Sequence, residues 1–130
     1  MTQKPIELIL TRQLATSLAM PIFLVDTGGT LVFYNEPAEH LLGTRFEETG
    51  EMPATEWATR WRPTDGAGAP LPPERLPLSI AAAEGRPAHG EFSIESHDGT
   101  RRHIAVTAIP LVRVGGQVLG SLAYLWETTA

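Results

Sequence analysis

FLVDTGGTLVFYNEPAEHLLG, residues 23–43, decides the fold. It holds two short runs rich in β-branched and aromatic residues, hinged by Thr27, Gly28, Gly29 and Thr30. The two glycines supply the positive φ that a tight hairpin needs. Asn35 then halts the second strand. Its side chain is suited to accept hydrogen bonds from the free backbone N–H groups of the next segment, as an N-cap does. Pro37 falls where a missing N–H costs nothing, Ala38, Leu41 and Leu42 form a buried face, and Gly43 ends the turn. One polar residue thus converts a hairpin into a helix.

Upstream, Leu10, Leu14 and Leu18 recur at four-residue steps, which predicts a helix over residues 6–20 between Pro5 and Pro21. Ile6 and Ile9 are read as lying off that stripe, giving the helix two partners, its own sheet and a second chain. Downstream, FEET and ATEWATRW read as short helices, with Trp57 and Trp61 on one face of the second. A Pro/Gly-rich loop follows, then a helix expected over residues 74–84 with Pro77 in its first turn. Three strands close the chain: HGEFSIES, RRHIAVTAIPLVR and QVLGSLAYLWETT. Strands at both ends with helices between them make a single α+β domain, its helices grouped on one face of an antiparallel sheet.

The totals narrow the function. With 15 acidic and 10 basic residues the net charge is −5, which argues against a nucleic-acid partner. Arg101, Arg102 and Arg113 come nearest to a basic patch and read as a solvated edge. No cysteine is present, which removes disulfides, thiolate metal sites and thioether-linked cofactors and fits a reducing compartment. Thr11, Arg12 and Gln13 interrupt the first apolar run, so no signal peptide is read. No run reaches the about 20 apolar residues of a membrane span. The expectation is a cytoplasmic protein with no membrane partner.

In order, VDTGGTLVFYNEPAEHLLG, DGAGAPLPPERLPLSIAAAEGRP, HDGTRRHIAVTAIPL and GGQVLGSLAYLWETT resemble the successive motifs of PAS domains, sensory modules of signalling proteins such as histidine kinases. Glu127-Thr128-Thr129 stands where the family usually closes with Asp-Ile-Thr. The resemblance implies a five-stranded sheet in the order 2-1-5-4-3 enclosing a pocket, with residues 1–20 as a flanking dimerisation helix and 21–130 as the PAS domain. It also implies a sensing role in two-component-type signalling, usually as a homodimer, with output to an effector. Since the sequence stops at Ala130, that effector is expected to be a removed domain or a separate protein.

Strand alternation anchored on the family pattern points Phe23, Val25, Phe92, Ile94, Ile104, Val106, Ala108, Ser121, Ala123 and Leu125 inward. With Trp57 and Trp61 these form the expected ligand pocket, in which small Ala108, Ser121 and Ala123 leave room. The competing reading fills that space with Leu76, Leu78, Ile80 and the tryptophans. His103, Ala105, Thr107, Ile109, Leu122, Tyr124 and Trp126 face outward. The apolar members, Ile109, Leu122, Tyr124 and Trp126, form with Leu10, Leu14 and Leu18 the expected dimer interface. Glu127 and Thr129 mark the signal exit, with Glu127 expected to meet an arginine.

Family cofactors are tested residue by residue. A covalent flavin and the chromophore of the yellow photoactive proteins both need a cysteine. Haem usually takes a histidine on the helix expected at 74–84, which has none; His40 and His89 read as surface or cap residues. Dicarboxylate sensors of related folds need inward cationic or hydroxyl groups, and few are present. A hydrophobic small molecule such as a fatty acid suits the lining, and a noncovalent flavin stacked on Trp57 and Trp61 stays open. His97, His103, Glu95 and Asp98 read as a cross-strand surface set, with His103 opposite Glu95 and His97 opposite Arg101, and not as a metal site. For an enzyme, Asp26, Asp65 and Asp98 lie in turns, Tyr124 points outward and Ser79 lacks a base, so no catalytic residues are assigned. A ligand-free dimerisation scaffold remains the alternative to the sensor.

Overall fold

The computed structural model describes residues 4–128. β1 (Ile22–Asp26) and β2 (Leu31–Tyr34) form the expected hairpin. Its turn is fixed by Asp26, whose Oδ1 accepts from the N–H groups of Gly28 and Thr30, each at 3.0 Å. β3 (Ala88–Glu95), β4 (Arg101–Val112) and β5 (Val118–Glu127) complete one antiparallel sheet in the order 2-1-5-4-3. The last strand returns to the first, with Phe23 opposite Ala123.

The pleat then sorts the apolar residues into two cores. On one face α2 (Glu36–Leu42), α4 (Ala54–Arg60) and α5 (Pro77–Glu84) bury Leu41, Leu42, Trp57, Leu78 and Ala81 against Val25, Phe92, Ile94, Ile104, Val106 and Leu125. On the other, α1 (Ile6–Ala15) seats Leu8 and Ala15 on Ile22, Leu24, Val32 and Phe33. Short α3 (Phe46–Thr49) bridges the two through Phe46. No helix of the described residues is long and apolar enough to cross a membrane.

The structure corrects α1 in two ways. It ends at Ala15 and not near residue 20, because the Asn35 side-chain amide donates to the Ala15 carbonyl at 2.9 Å. A continuing helix would have given that carbonyl to residue 19. Leu18 therefore lies beyond the helix. The leucine stripe is also the outward face: Leu10 and Leu14 are 56% and 60% exposed, in step with Ile6 and away from the sheet.

Two further expectations change. The helix expected over residues 74–84 is split, with a 3-10 turn at Pro73–Arg75, an extended Leu76 and then α5 starting on Pro77. Proline disfavours the α region at the residue before it, and is itself well placed at a helix start. In the β3–β4 hairpin the Ser96 N–H bonds the Thr100 carbonyl, so the three-residue turn is residues 97–99, one position earlier than the expected pairing implies. His103 is thereby opposite Ser93 and not Glu95, and Arg101 is opposite Glu95 and not His97.

α1 is pinned at its start by Glu7, which takes two hydrogen bonds from the Arg113 guanidinium at 2.9 and 3.0 Å. Those bonds, more than any other influence, hold its carboxyl down from an ordinary 4.5 to about 2. A depressed folded-state pKa means the contribution is present above about pH 4.5 and is lost as pH falls toward about 2. Carboxyl-detected NMR should place the Glu7 midpoint near 2, and Arg113→Ala should return it to the ordinary range. A midpoint near 4.5 in the parent protein would mean that the clasp does not hold in solution.

Candidate functional site

Between the inner sheet face and α4 and α5 lies an apolar cavity of about 60 Å³. Phe23, Trp57, Trp61, Phe92, Ile94, Ile104, Val106 and Leu125 line it. Leu31, Leu42, Ala58 and Pro63 line it too; their strand, helix and loop positions carry no pocket signature, and the sequence reading did not include them. Val25, Ala108, Ser121 and Ala123 lie outside it. All four are fully buried, and the small side chains of the last three seat α5. Ser121 Oγ donates to the Leu78 carbonyl at 3.0 Å, and Gly90 lies against the Pro77 ring. Small residues here admit a helix and leave no void.

The tryptophans are walls of the cavity. Trp57 Nε1 donates to the Gly29 carbonyl at 2.7 Å, which locks α4 onto the first hairpin. Trp61 stacks on Phe23 with centroids 6.3 Å apart and meets Tyr34 edge-on at 6.0 Å. Leu76 and Leu78 line it from the helical side. The lining holds no polar side chain, and a water needs two to four polar partners, so the cavity is suited to apolar atoms.

A flavin does not fit. The lining offers no partner for the polar edge of its ring, and the cavity is well below the about 300 Å³ at which ligand pockets usually start. The sequence has no cysteine to bond one.

On the outer face, Ile109 and Trp126 are 38% and 40% exposed. Leu122 and Tyr124 are half-buried against the α1 core, and Tyr124 stacks with Trp126 at 6.0 Å. The seven expected interface residues therefore divide: Leu122 and Tyr124 are partly covered by this chain's own α1 core, and the rest are open.

At the exit, Arg102 Nη1 donates to Glu127 Oε1 at 3.0 Å, and Arg102 Nε donates to Ser96 Oγ at 2.8 Å. Ser96 in turn donates to the Leu41 carbonyl at 2.7 Å, and the His97 N–H bonds the Leu42 carbonyl. The free C-terminal carbonyls of α2 are thus capped by the hairpin that also holds the end of β5. Thr129 lies outside the described residues. His103 contacts Ser93, and His89 pairs with Thr107 at 2.9 Å. Among the described residues no group of three or more His, Cys, Asp or Glu is placed to hold a metal ion.

A five-stranded antiparallel sheet of this order, with helices closing an apolar cavity on one face, defines an α+β module of one architecture. The family model described as "PAS fold" matches residues 15–130, and the chain belongs to the PAS family of sensory and signalling modules. Among solved structures, the PAS domain of Bordetella pertussis BvgS has a TM-score of 0.60 at 17% identity, covering 95% of this chain and 87% of that one. A PAS domain from Colwellia psychrerythraea gives 0.65 at 18%, covering 93% and 98%. The Rhodobacter sphaeroides LOV protein gives 0.73 at 15%, covering 96% and 69%. At these identities the likeness is one of fold. No curated protein sequence is significantly similar.

Proposed function

We infer that the chain is a sensory module that takes a small apolar ligand in the cavity and relays its presence, as a homodimer, to an effector. In this reading it is a cytoplasmic signalling component, of the two-component type, and not an enzyme. One observation carries the inference: strands β4 and β5 line the cavity on one face and carry Tyr124 and the part-exposed Trp126 on the other. Val106 and Leu125 are directly paired and line the cavity, while the flanking pairs, Ala105 with Trp126 and Thr107 with Tyr124, face outward. A ligand that shifts Leu125 must therefore disturb the Tyr124–Trp126 stack, beside which α1 lies. Interiors this well packed transmit small displacements.

The dimer surface is α1 with Ile109 and Trp126. Leu10→Glu with Leu14→Glu alters residues that touch little of their own chain, so the melting temperature should change little. Sedimentation equilibrium should report a dimer for the parent protein and a monomer for the double variant. An unchanged mass would count against α1 as the interface.

A ligand-free scaffold is the second reading, favoured by the cavity's size: about 60 Å³ against the about 150 Å³ of an apolar cavity that takes up benzene. Native mass spectrometry separates the two, since a copurifying mass supports the sensor and a bare dimer the scaffold.

A further inference from the structure

Behind Trp61 lies a second, polar cleft of about 210 Å³, with Arg60 and Arg62 on one side and Glu95, Ser96 and His97 on the other. Trp61 belongs to both linings, so one residue borders an apolar cavity and a cationic cleft. The indole is held by its own backbone, whose carbonyl accepts from the Glu95 N–H at 2.7 Å. Three residues later Thr64 exchanges backbone hydrogen bonds with Ser93 along the free edge of β3. Arg62 fills the bulge between these ties with φ +47°, a left-handed conformation that is uncommon for a side chain of this size. The same fold change would be easy with glycine; here the position carries a guanidinium.

Both arginines are poorly matched by acids. Arg60 lies 3.8 Å from Glu56, and Arg62 lies 4.0 Å from Glu95, each beyond hydrogen-bond range. Among the described residues neither guanidinium donates a hydrogen bond, although each carries five donors. Two cations against the single carboxylate of Glu95 leave the cleft itself one positive charge in excess, with Glu56 facing Arg60 one helical turn away.

We propose that the site takes a short-chain monocarboxylate, its carboxylate held by Arg60 and Arg62 in the cleft and its alkyl tail passing Trp61 into the apolar cavity. The proposal rests on the reading of that cavity as the ligand pocket. A single negative charge balances the cleft, and a planar carboxylate matches the guanidinium fork. The tail is limited by volume: about 60 Å³ holds on the order of four to six water-sized heavy atoms. Trp61 then senses occupancy directly, because its ring stacks on Phe23 of the central strands.

The test is calorimetric titration of the full chain with hexanoate, 1-hexanol and acetate, each against the parent, Arg60→Gln with Arg62→Gln, and Val106→Phe. Ile104→Phe replaces the last if it fails to fold. Hexanoate should bind the parent at least tenfold more tightly than either other probe. The arginine pair should remove that advantage while leaving hexanol binding unchanged, which also shows that the variant is folded. Val106→Phe should weaken both six-carbon probes. If hexanoate and hexanol bind alike and the arginine pair alters neither, the head-group site is wrong while the apolar pocket stands. Binding of neither six-carbon probe overturns the pocket reading and this proposal together. Acetate equal to hexanoate, with no effect of Val106→Phe, would confine the anion to the cleft and overturn the two-part ligand.

Discussion

Asn35→Ala is expected to destabilise the protein by about 3–5 kcal/mol and to lower its melting temperature by on the order of 10–20 °C. Its side chain is 1% exposed and uses all of its bonding capacity that the site can reach. Oδ1 accepts from the Ile22 N–H at 2.9 Å and from the Ala38 N–H at 3.3 Å. Nδ2 donates to the Ala15 and Met20 carbonyls at 2.9 and 3.0 Å. One side chain therefore starts β1, caps α2 and ends α1. Removing it strands backbone groups in the interior, where an unsatisfied polar atom costs about 1–3 kcal/mol, and partial relaxation recovers some of the sum. Differential scanning calorimetry reads the effect, and a shift under about 3 °C would mean that the four bonds do not form together. Asn35→Asp sharpens the test. It keeps the acceptor and points a carboxylate at two carbonyls, which raises its folded-state pKa. Relative to the parent, the variant should be most stable below the ordinary aspartate value of about 3.9 and should lose stability as pH rises above it.

The role of Asn35 also marks where the sequence stops being readable. Its N-cap position was legible because the partner lies three residues on, and local turn chemistry is written in local residues. Its other partners, 20, 15 and 13 residues upstream, leave no periodic trace. α1 fails the same way. Leu10 and Leu14 announce an amphipathic helix, but periodicity does not say which face meets the sheet. The inner face runs Leu8, Arg12, Ala15, and Arg12 disguises it: its guanidinium lies over the Phe33 ring at 4.6 Å and the Phe46 ring at 5.5 Å, so a charged residue does the work of an apolar one. Alternation along β4 and β5 assigned the faces correctly, since a period of two admits little else. What alternation lacks is depth. Ala108, Ser121 and Ala123 carry the same signature whether they line a void or seat a helix, and α5 occupies the place. Arg60 and Arg62 carry no signal of a site in the sequence, because their cleft forms only when the hairpin at Glu95–His97 is brought beside them, a contact between segments over 30 positions apart.

Gly120→Ala is expected to prevent folding. Gly120 lies in β5 opposite Asp26 of β1 and Leu111 of β4, with φ at +151°. A Cβ built there is driven into the Val25 carbonyl oxygen, with the Asp26 Cα at 3.1 Å behind it. Every atom in the way is backbone, so no change of rotamer relieves the overlap, and β1 has to leave its register with β5. That register also carries the Ile22 N–H to Asn35, so its loss spreads to both cores. The effect belongs among the exceptional substitutions, above about 4–5 kcal/mol. Gly99→Ala is the control: φ is +85° in the β3–β4 turn, nothing lies within 4 Å of the new carbon, and the left-handed backbone alone should cost about 1–2 kcal/mol. Circular dichroism and calorimetry of the two variants separate clash from conformational cost. A folded Gly120→Ala protein melting within about 5 °C of the parent would require β1 and β5 to stand further apart than described. Phe23 and Leu125 would then separate as well, since they hang from those two strands into the same cavity, and the cavity would be larger than its about 60 Å³. The fate of one methyl group thus bears on how large a ligand the pocket admits.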